Sequence, residues 1–247
     1  MITIKNEKQI SAMREAGKIL SGLFEAIEPY IKPGISTLEL DKFAHTYIIE
    51  HKAKPSFLHF SGFPASICTS IDDVVVHGIP RADEILEEGM IIGIDVGAKL
   101  NGYHADACRT YPVGNISKEK QKLIEVTRES FFVGIKDIKA GSRLGDIGAN
   151  IQTYVEKNGF SVVRDLVGHG IGTELHESPN VPNYGLRGSG IVLKEGMTIA
   201  IEPMVNQGSY QMIFPADWVC KTRDGLPSAH YENTIAITAS GVEILTI

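Results

Sequence analysis

An eight-residue stretch recurs in this chain, and the distance between its two copies restricts the fold more than any other feature. Glu88-Gly89-Met90-Ile91-Ile92-Gly93-Ile94-Asp95 matches Glu195-Gly196-Met197-Thr198-Ile199-Ala200-Ile201-Glu202, a displacement of 107 residues. The same displacement carries Lys32, Gly34, Glu39 and Leu40 onto Lys139, Gly141, Asp146 and Ile147, Tyr47-Ile48 onto Tyr154-Val155, and Phe24 onto Phe131. Distant stretches that agree on one displacement are hard to attribute to chance. Solenoid and propeller units repeat at roughly 20–50 residues, so this spacing is too long for either. It predicts two related halves, about 1–113 and 114–247, each a helical stretch followed by strands and packed about a pseudo-twofold axis.

Local patterning agrees. Ile10, Met13, Leu20, Leu23, Phe24 and Ile27 recur at helical spacing across 6–29, closed by Pro29 and Pro33-Gly34. Ser36 or Thr37 then reads as an N-cap, with Leu38, Leu40, Phe43, Ala44, Tyr47 and Ile48 on one face. The second half predicts helices near 117–138 and 144–158. Strand-like runs cover 66–70, 90–98, 103–113, 197–205, 217–221 and 230–238. No linker or low-complexity tract separates the halves, so 247 residues form one α+β domain with a largely antiparallel sheet.

Composition removes several function classes. Asp plus Glu number 30 against 24 Lys plus Arg, a net charge of −6, which argues against DNA or RNA as the main partner. No apolar run approaches the ~18 residues of a membrane span, and the charged opening MITIKNEKQISAMREAGK holds no signal region. Three widely spaced cysteines, Cys68, Cys108 and Cys220, suit reduced thiols in the cytoplasm rather than disulfides or a thiolate zinc site.

Carboxylates and histidines therefore carry the chemistry. Asp95 and Glu202 are lone acids in apolar strands, at equivalent places in the repeat. A buried carboxylate is costly unless paired or metal-bound, and a twofold arrangement brings both acids towards the axis. Asn101-Gly102 is a hairpin signal, so Asp106, four residues after it, lies near Asp95 on the paired strand. Glu232 is a further lone acid in a late strand. His169 sits in a glycine-flanked loop, Gly168-His169-Gly170, seven residues before His176, and Val76-His77-Gly78-Ile79 echoes that loop. His45, His51, His59, His104 and His230 have no comparable context and read as structural. Four carboxylates and one imidazole suit hard to borderline divalent ions, two of which can share bridging carboxylates and activate water. There is no P-loop, HExxH or GxSxG, and nothing marks a serine or cysteine nucleophile.

The pattern resembles the type I methionine aminopeptidases, of the short bacterial form, over essentially the whole chain. The resembling motifs are VVVHGIP at 74–80, IDVGA at 94–98, GYHAD at 102–106, GHGIGTELHE at 168–177, IEPMV at 201–205 and YENTI at 231–235. The resemblance implies the pita-bread fold, a curved antiparallel sheet with two helix pairs and internal pseudo-twofold symmetry. It implies five metal ligands, Asp95, Asp106, His169, Glu202 and Glu232, with Asp106 and Glu232 bridging two ions of Co, Mn, Fe or Zn. Water between the ions would be the nucleophile and Glu202 would take its proton. His176 would stabilise the oxyanion, and His77 would position the scissile amide. Phe57, Phe60, Phe63, Cys68, Leu175 and Trp218 would line the methionine pocket. The expected substrates are N-termini of nascent polypeptides with a small second residue, met by a cytoplasmic monomer in transient contact with ribosomes.

The chain departs from the family pattern at five positions. Asn233 follows Glu232 where His is common, Phe60, Phe63 and Leu175 stand where Tyr, Tyr and Phe are frequent, and Gly97 stands where Thr or Ser is frequent. Two other readings fit less well. A prolidase or aminopeptidase P usually carries an additional N-terminal domain, and only 73 residues precede the first site motif here. A non-catalytic ribosome- or RNA-binding relative would be expected to lose ligands and to be basic, whereas this chain keeps all five and is acidic.

Overall fold

A computed structural model describes residues 2–247. Three of the four described α-helices start where the sequence supplies a capping side chain. Asn6 closes a reciprocal capping box with Gln9 at the start of α1, Glu7–Ile27. Ser36, rather than Thr37, caps α2, Thr37–Glu50, and Glu39 reaches back to the Ser36 amide at 2.9 Å. Ser117 caps α3, Lys118–Ile135. The last helix, α4, is Leu144–Lys157 and begins after Arg143, which has no capping oxygen. Half of the box survives there, because Asp146 accepts from the Arg143 amide at 2.9 Å.

The displacement of 107 is visible in three dimensions. It maps α2 onto α4 end to end. It maps the isolated bridge Ser36–Ile85 onto Arg143–Val192. The bond from Gly34 N to Leu86 O, 2.8 Å, recurs from Gly141 N to Leu193 O, 2.9 Å. Gly34 and Gly141 hold φ of 95° and 96°, a left-handed conformation that glycine adopts without strain.

The main sheet has nine strands, all paired antiparallel. Its hydrogen-bonded order is Lys54–Pro55, Ile91–Leu100, Tyr103–Pro112, Glu232–Ile237, Thr198–Ile201, Gly168–Gly170 and Glu177–Val181. Ile67–Ile71 adds to the 91–100 strand and Val242–Ile244 to the 232–237 strand. Asn101 and Gly102, with φ of 51° and 88°, make the expected tight turn between the 91–100 and 103–112 strands.

Side-chain alternation then divides the sheet into two faces. Ile92, Ile94, Val96, Ala98, Ala105 and Ala107 pack with α1 and α2. Ile199, Ile201, Ile235 and Ile237 pack with α3 and α4. The intervening residues, Asp95, Asp106 and Cys68, belong to the opposite face. A smaller apolar cluster of Ile10, Met13, Phe57, Phe63, Cys68, Ile171 and Leu175 lies at one end of that face.

Several boundaries differ from the sequence reading. The 117–138 helix stops at Ile135, where the chain turns through Asp137 at φ 62°. The 197–205 run splits into Thr198–Ile201 and Met204–Asn206, because Pro203 has no N–H for a ladder. The 230–238 run splits at Tyr231, leaving Ser228–His230 in a separate three-stranded sheet with Met204–Asn206 and Ser161–Val162. Of 217–221 only the end is strand, Cys220–Thr222, which pairs with Val74–Val76 and Met212–Ile213 in a third sheet. Gly168–Gly170 is a short strand, not a loop. No described helix is long and apolar enough to cross a membrane.

Candidate active site

Five adjacent strands bring the five anticipated donor residues together. Asp95 and Glu232 stand opposite Cys108 from its two sides, and Asp106 lies two residues before Cys108 on the strand between them. Glu202 follows Ile201, the partner of Asn233, so it emerges beside Glu232. His169 pairs with Ala200 on the next strand. Its Nε2 lies 3.8 Å from an oxygen of Asp106 and 3.8 Å from one of Glu202. Asp106 and Glu232 are buried, at 3 % and 2 % exposure, and Asp95 and Glu202 are half-buried at the cavity wall.

Burial makes these acids costly as free anions. Asp95 Oδ1, Asp106 Oδ1 and Glu232 Oε1 are buried and accept no hydrogen bond. Burial pushes the carboxyl of Asp106 up to about 7, and those of Asp95, Glu202 and Glu232 well above the usual range, with neighbouring carboxylates adding to the rise. Burial lowers His169 to about 4, so its imidazole is neutral and its lone pair free to coordinate. Oxygens with no donor, held beside a neutral nitrogen, fit a divalent cation. Atoms of Asp95, Asp106 and Glu232 converge within 4.8 Å, as do those of His169, Glu202 and Glu232.

All thirteen anticipated site residues line one cavity of about 110 Å³. For scale, a cavity of ~150 Å³ holds a benzene-sized molecule. Opposite the acids its walls are Phe57, Phe60, Phe63, Cys68, Leu175 and Trp218. Trp218 meets Phe63 edge-on at 5.5 Å and His77 at 6.3 Å between ring centres. His77 and Trp218 both hold positive φ, 60° and 70°, a conformation uncommon outside glycine and costly to maintain. The His176 ring lies 4.3 Å from His169 and meets Phe60 edge-on at 5.1 Å. Burial lowers both His77 and His176, leaving each a neutral imidazole able to donate one hydrogen bond.

Comparison with known proteins agrees with this geometry. The model of Metallopeptidase family M24 matches residues 11–239. A methionine aminopeptidase of Clostridium acetobutylicum is 53 % identical over 100 % of this chain and 99 % of its own length. The chain belongs to metallopeptidase family M24, with its methionine aminopeptidases. The crystal structure of the methionine aminopeptidase from Rickettsia prowazekii superposes with a TM-score of 0.98 at 44 % identity, each chain covering all of the other. The fold is thus the pita-bread fold of these enzymes. A prolidase from Pyrococcus furiosus shares the fold alone, at TM-score 0.77 and 24 % identity, with 65 % of its chain covered.

The departures from the M24 pattern have local explanations in two cases. A Cβ on Gly97 would lie 2.7 Å from Cβ of Ser56 and 3.0 Å from the Phe57 ring, so glycine makes room for that ring in the pocket wall. Asn233 points away from the acids: its Oδ1 accepts from Arg109 at 2.7 Å and from Thr246 at 2.8 Å. Arg109 also donates to the Glu232 carbonyl at 2.6 Å and lies over the Tyr231 and Phe24 rings. The strand that carries Glu232 is thereby tied to the strand that carries Asp106. Nothing in the structure explains Phe60, Phe63 or Leu175 in place of the family's bulkier or hydroxylated residues.

One reading is corrected. His230 is not an isolated structural histidine: its buried Nε2 has no hydrogen-bond partner and lies 3.9 Å from an oxygen of Glu202 and 3.9 Å from one of Glu232. The spacing of His230 and Glu232, two residues apart, was its only sequence signal, and the break at Tyr231 concealed it.

Proposed function

We propose that this chain hydrolyses the N-terminal methionine from peptides and nascent proteins, using two divalent ions held among Asp95, Asp106, His169, Glu202 and Glu232. The observation that carries the reading is the junction inside one cavity. An apolar aromatic wall faces a cluster of buried acids whose oxygens lack donors. An unbranched thioether fits the first, which sets the following amide against the second. When bound, the ions would supply Lewis acidity to the carbonyl and make water acidic enough to attack near neutral pH.

The chain's own residues then divide the work. The central, buried positions of Asp106 and Glu232 support bridging roles, with Asp95 on one flank and His169 and Glu202 on the other. Glu202 reaches the cavity and has a raised affinity for a proton, which suits acceptance of the proton from the attacking water. His176, neutral and aimed into the cavity, donates to the developing oxyanion. His77, fixed by its strained backbone beside Trp218, positions the amide. The Phe60 ring at the mouth, packed on His176, favours a small second residue. Both halves, 1–113 and 114–247, contribute donors, in keeping with one catalytic domain. Three free cysteines fit the reducing cytoplasm, and a net charge of −6 fits a partner other than nucleic acid; the proposed enzyme is a monomer that meets nascent chains at the ribosome.

The test is turnover of Met-Ala-Ser, Met-Lys-Ser and Pro-Ala-Ser after chelation and after return of Mn, Co, Fe or Zn. Activity should vanish on chelation, return with metal, and favour Met-Ala-Ser. Full activity in metal-free protein would overturn the dimetal reading, and preference for Pro-Ala-Ser the methionine reading.

A further inference from the structure

Among the described residues, Lys5–Glu177 is the one lysine or arginine ion pair with both side chains buried, at 5 % and 8 % exposure and an N–O distance of 2.6 Å. Desolvating two charges is expensive, and an apolar pair of similar volume is often no less stable. Stability alone is therefore a weak account of it. Its position supplies a better one, because Glu177 directly follows His176 and ends the loop that carries Leu175.

The Glu177 carboxylate braces that loop from inside. One oxygen accepts from the Glu174 amide at 3.3 Å and the Thr173 hydroxyl at 3.5 Å. The other accepts from Lys5 Nζ and the Thr3 hydroxyl. A Cβ on Gly172 would lie 2.5 Å from both Glu177 Oε1 and Lys5 Cε, so the pair is packed directly on the loop backbone. Lys5 is itself fixed: its amide donates to Gly196 O at 2.8 Å, and Asn6 begins α1 in a capping box. The His176 imidazole makes contact with the His169 and Phe60 rings but has no hydrogen bond among the described residues. Its aim depends on the backbone that Glu177 holds.

We infer that Lys5 is a positioning residue for peptide hydrolysis: through Glu177 it fixes the 172–177 loop so that His176 meets the scissile carbonyl. The inference rests on the reading of His176 as the oxyanion donor. Removing a donor outright costs ~10²–10³ in turnover, and misaiming it should cost a part of that.

The test uses metal-loaded enzyme and Met-Ala-Ser. Lys5→Met should lower kcat at least ~10-fold with KM and metal content little changed, and should speed amide hydrogen exchange across 172–177. Lys5→Arg should recover most of the rate. Groups that act as a unit are non-additive, so in a His176→Ala background Lys5→Met should cost less than ~2-fold. Unchanged kcat in Lys5→Met, or its full cost repeated in the His176→Ala background, would overturn the inference. If Lys5→Met does not fold, Glu177→Gln and the Lys5→Met/Glu177→Gln pair carry the same test, the latter leaving no charge unmatched. If His176→Ala alone leaves kcat intact, the oxyanion reading fails, and unchanged exchange at 172–177 in Lys5→Met would then dismiss the role of Lys5.

Discussion

Asp106→Asn probes the claim that the acid cluster is built around a cation, because it changes charge while keeping shape. In chelated protein the Asp106 carboxyl is raised from 3.8 to about 7, chiefly by burial. In the unfolded chain it titrates near its ordinary value. Between those two pH values the folded chain keeps a proton that the unfolded chain has lost. The group's contribution to stability is therefore fully present below the ordinary pKa, falls as pH rises, and is gone above about 7. Each tenfold change in a proton equilibrium is worth ~1.4 kcal/mol, so the penalty near pH 8 is about 4 kcal/mol. For a domain of this size 1 kcal/mol moves the melting temperature by roughly 2–4 °C. In chelator near pH 8, Asp106→Asn should then melt roughly 10 °C above the parent. Near pH 4 the two should nearly coincide. Asp95, Glu202 and Glu232 add to the gain at high pH, since the Asp106 charge raises all three. Saturating Mn should invert the order, because only a folded state that binds the ion is stabilised by it. The assay is calorimetric melting across pH 4–8, with chelator and with metal. A variant that melts below the parent near pH 8 in chelator would refute the reasoning, as would a gap between the two that does not widen with pH.

Two further outcomes are expected. His169→Ala should lose affinity for at least one ion, whereas His176→Ala and His77→Ala should keep normal metal content and lose most of kcat, by ~10²–10³ for His176; metal analysis beside steady-state kinetics separates the three. Gly97→Ser should force its Cβ against Ser56 and Phe57, destabilise the fold by about 1–3 kcal/mol and raise KM for methionyl peptides, which calorimetric melting and steady-state kinetics on Met-Ala-Ser check.

What the sequence made legible follows from where the two halves still obey one displacement. The helix α4 and the Gly141 turn could be placed from α2 and Gly34 because both copies keep the same turn, the same register and an acid that accepts from the first backbone amide. Asp95 and Glu202 stood out because a charged residue in an apolar strand breaks a period that has only two faces. The displacement fails after Asn206. By pairing register the 103–112 strand corresponds to 227–236, a step of 124 residues, because 207–227 stand where the first half has only the short 100–103 turn. That insertion carries Trp218 and the Met212–Ile213 and Cys220–Thr222 strands, none of which has a counterpart in the first half. The motif resemblance named Trp218, but no periodicity could show that its backbone turns at φ 70° to bring the ring over Phe63.

The same break explains the misreading of His230. Its strand, Ser228–His230, follows the insertion and belongs to a different sheet from Glu232, one residue beyond Tyr231. Sequence patterns report which face of a strand a residue occupies, but not that two sheets meet at a bend and point an imidazole and a carboxylate into one space. Lys5 and Glu177 make the point more sharply, since 172 residues separate them and neither lies in a periodic run. Only packing joins them, through Gly172 and Gly196, where a side chain would displace the lysine or its backbone. Residues that bind a cation or a substrate announce themselves by being the wrong type for their surroundings. Residues that aim them are of the ordinary type, and only the contact itself reveals them.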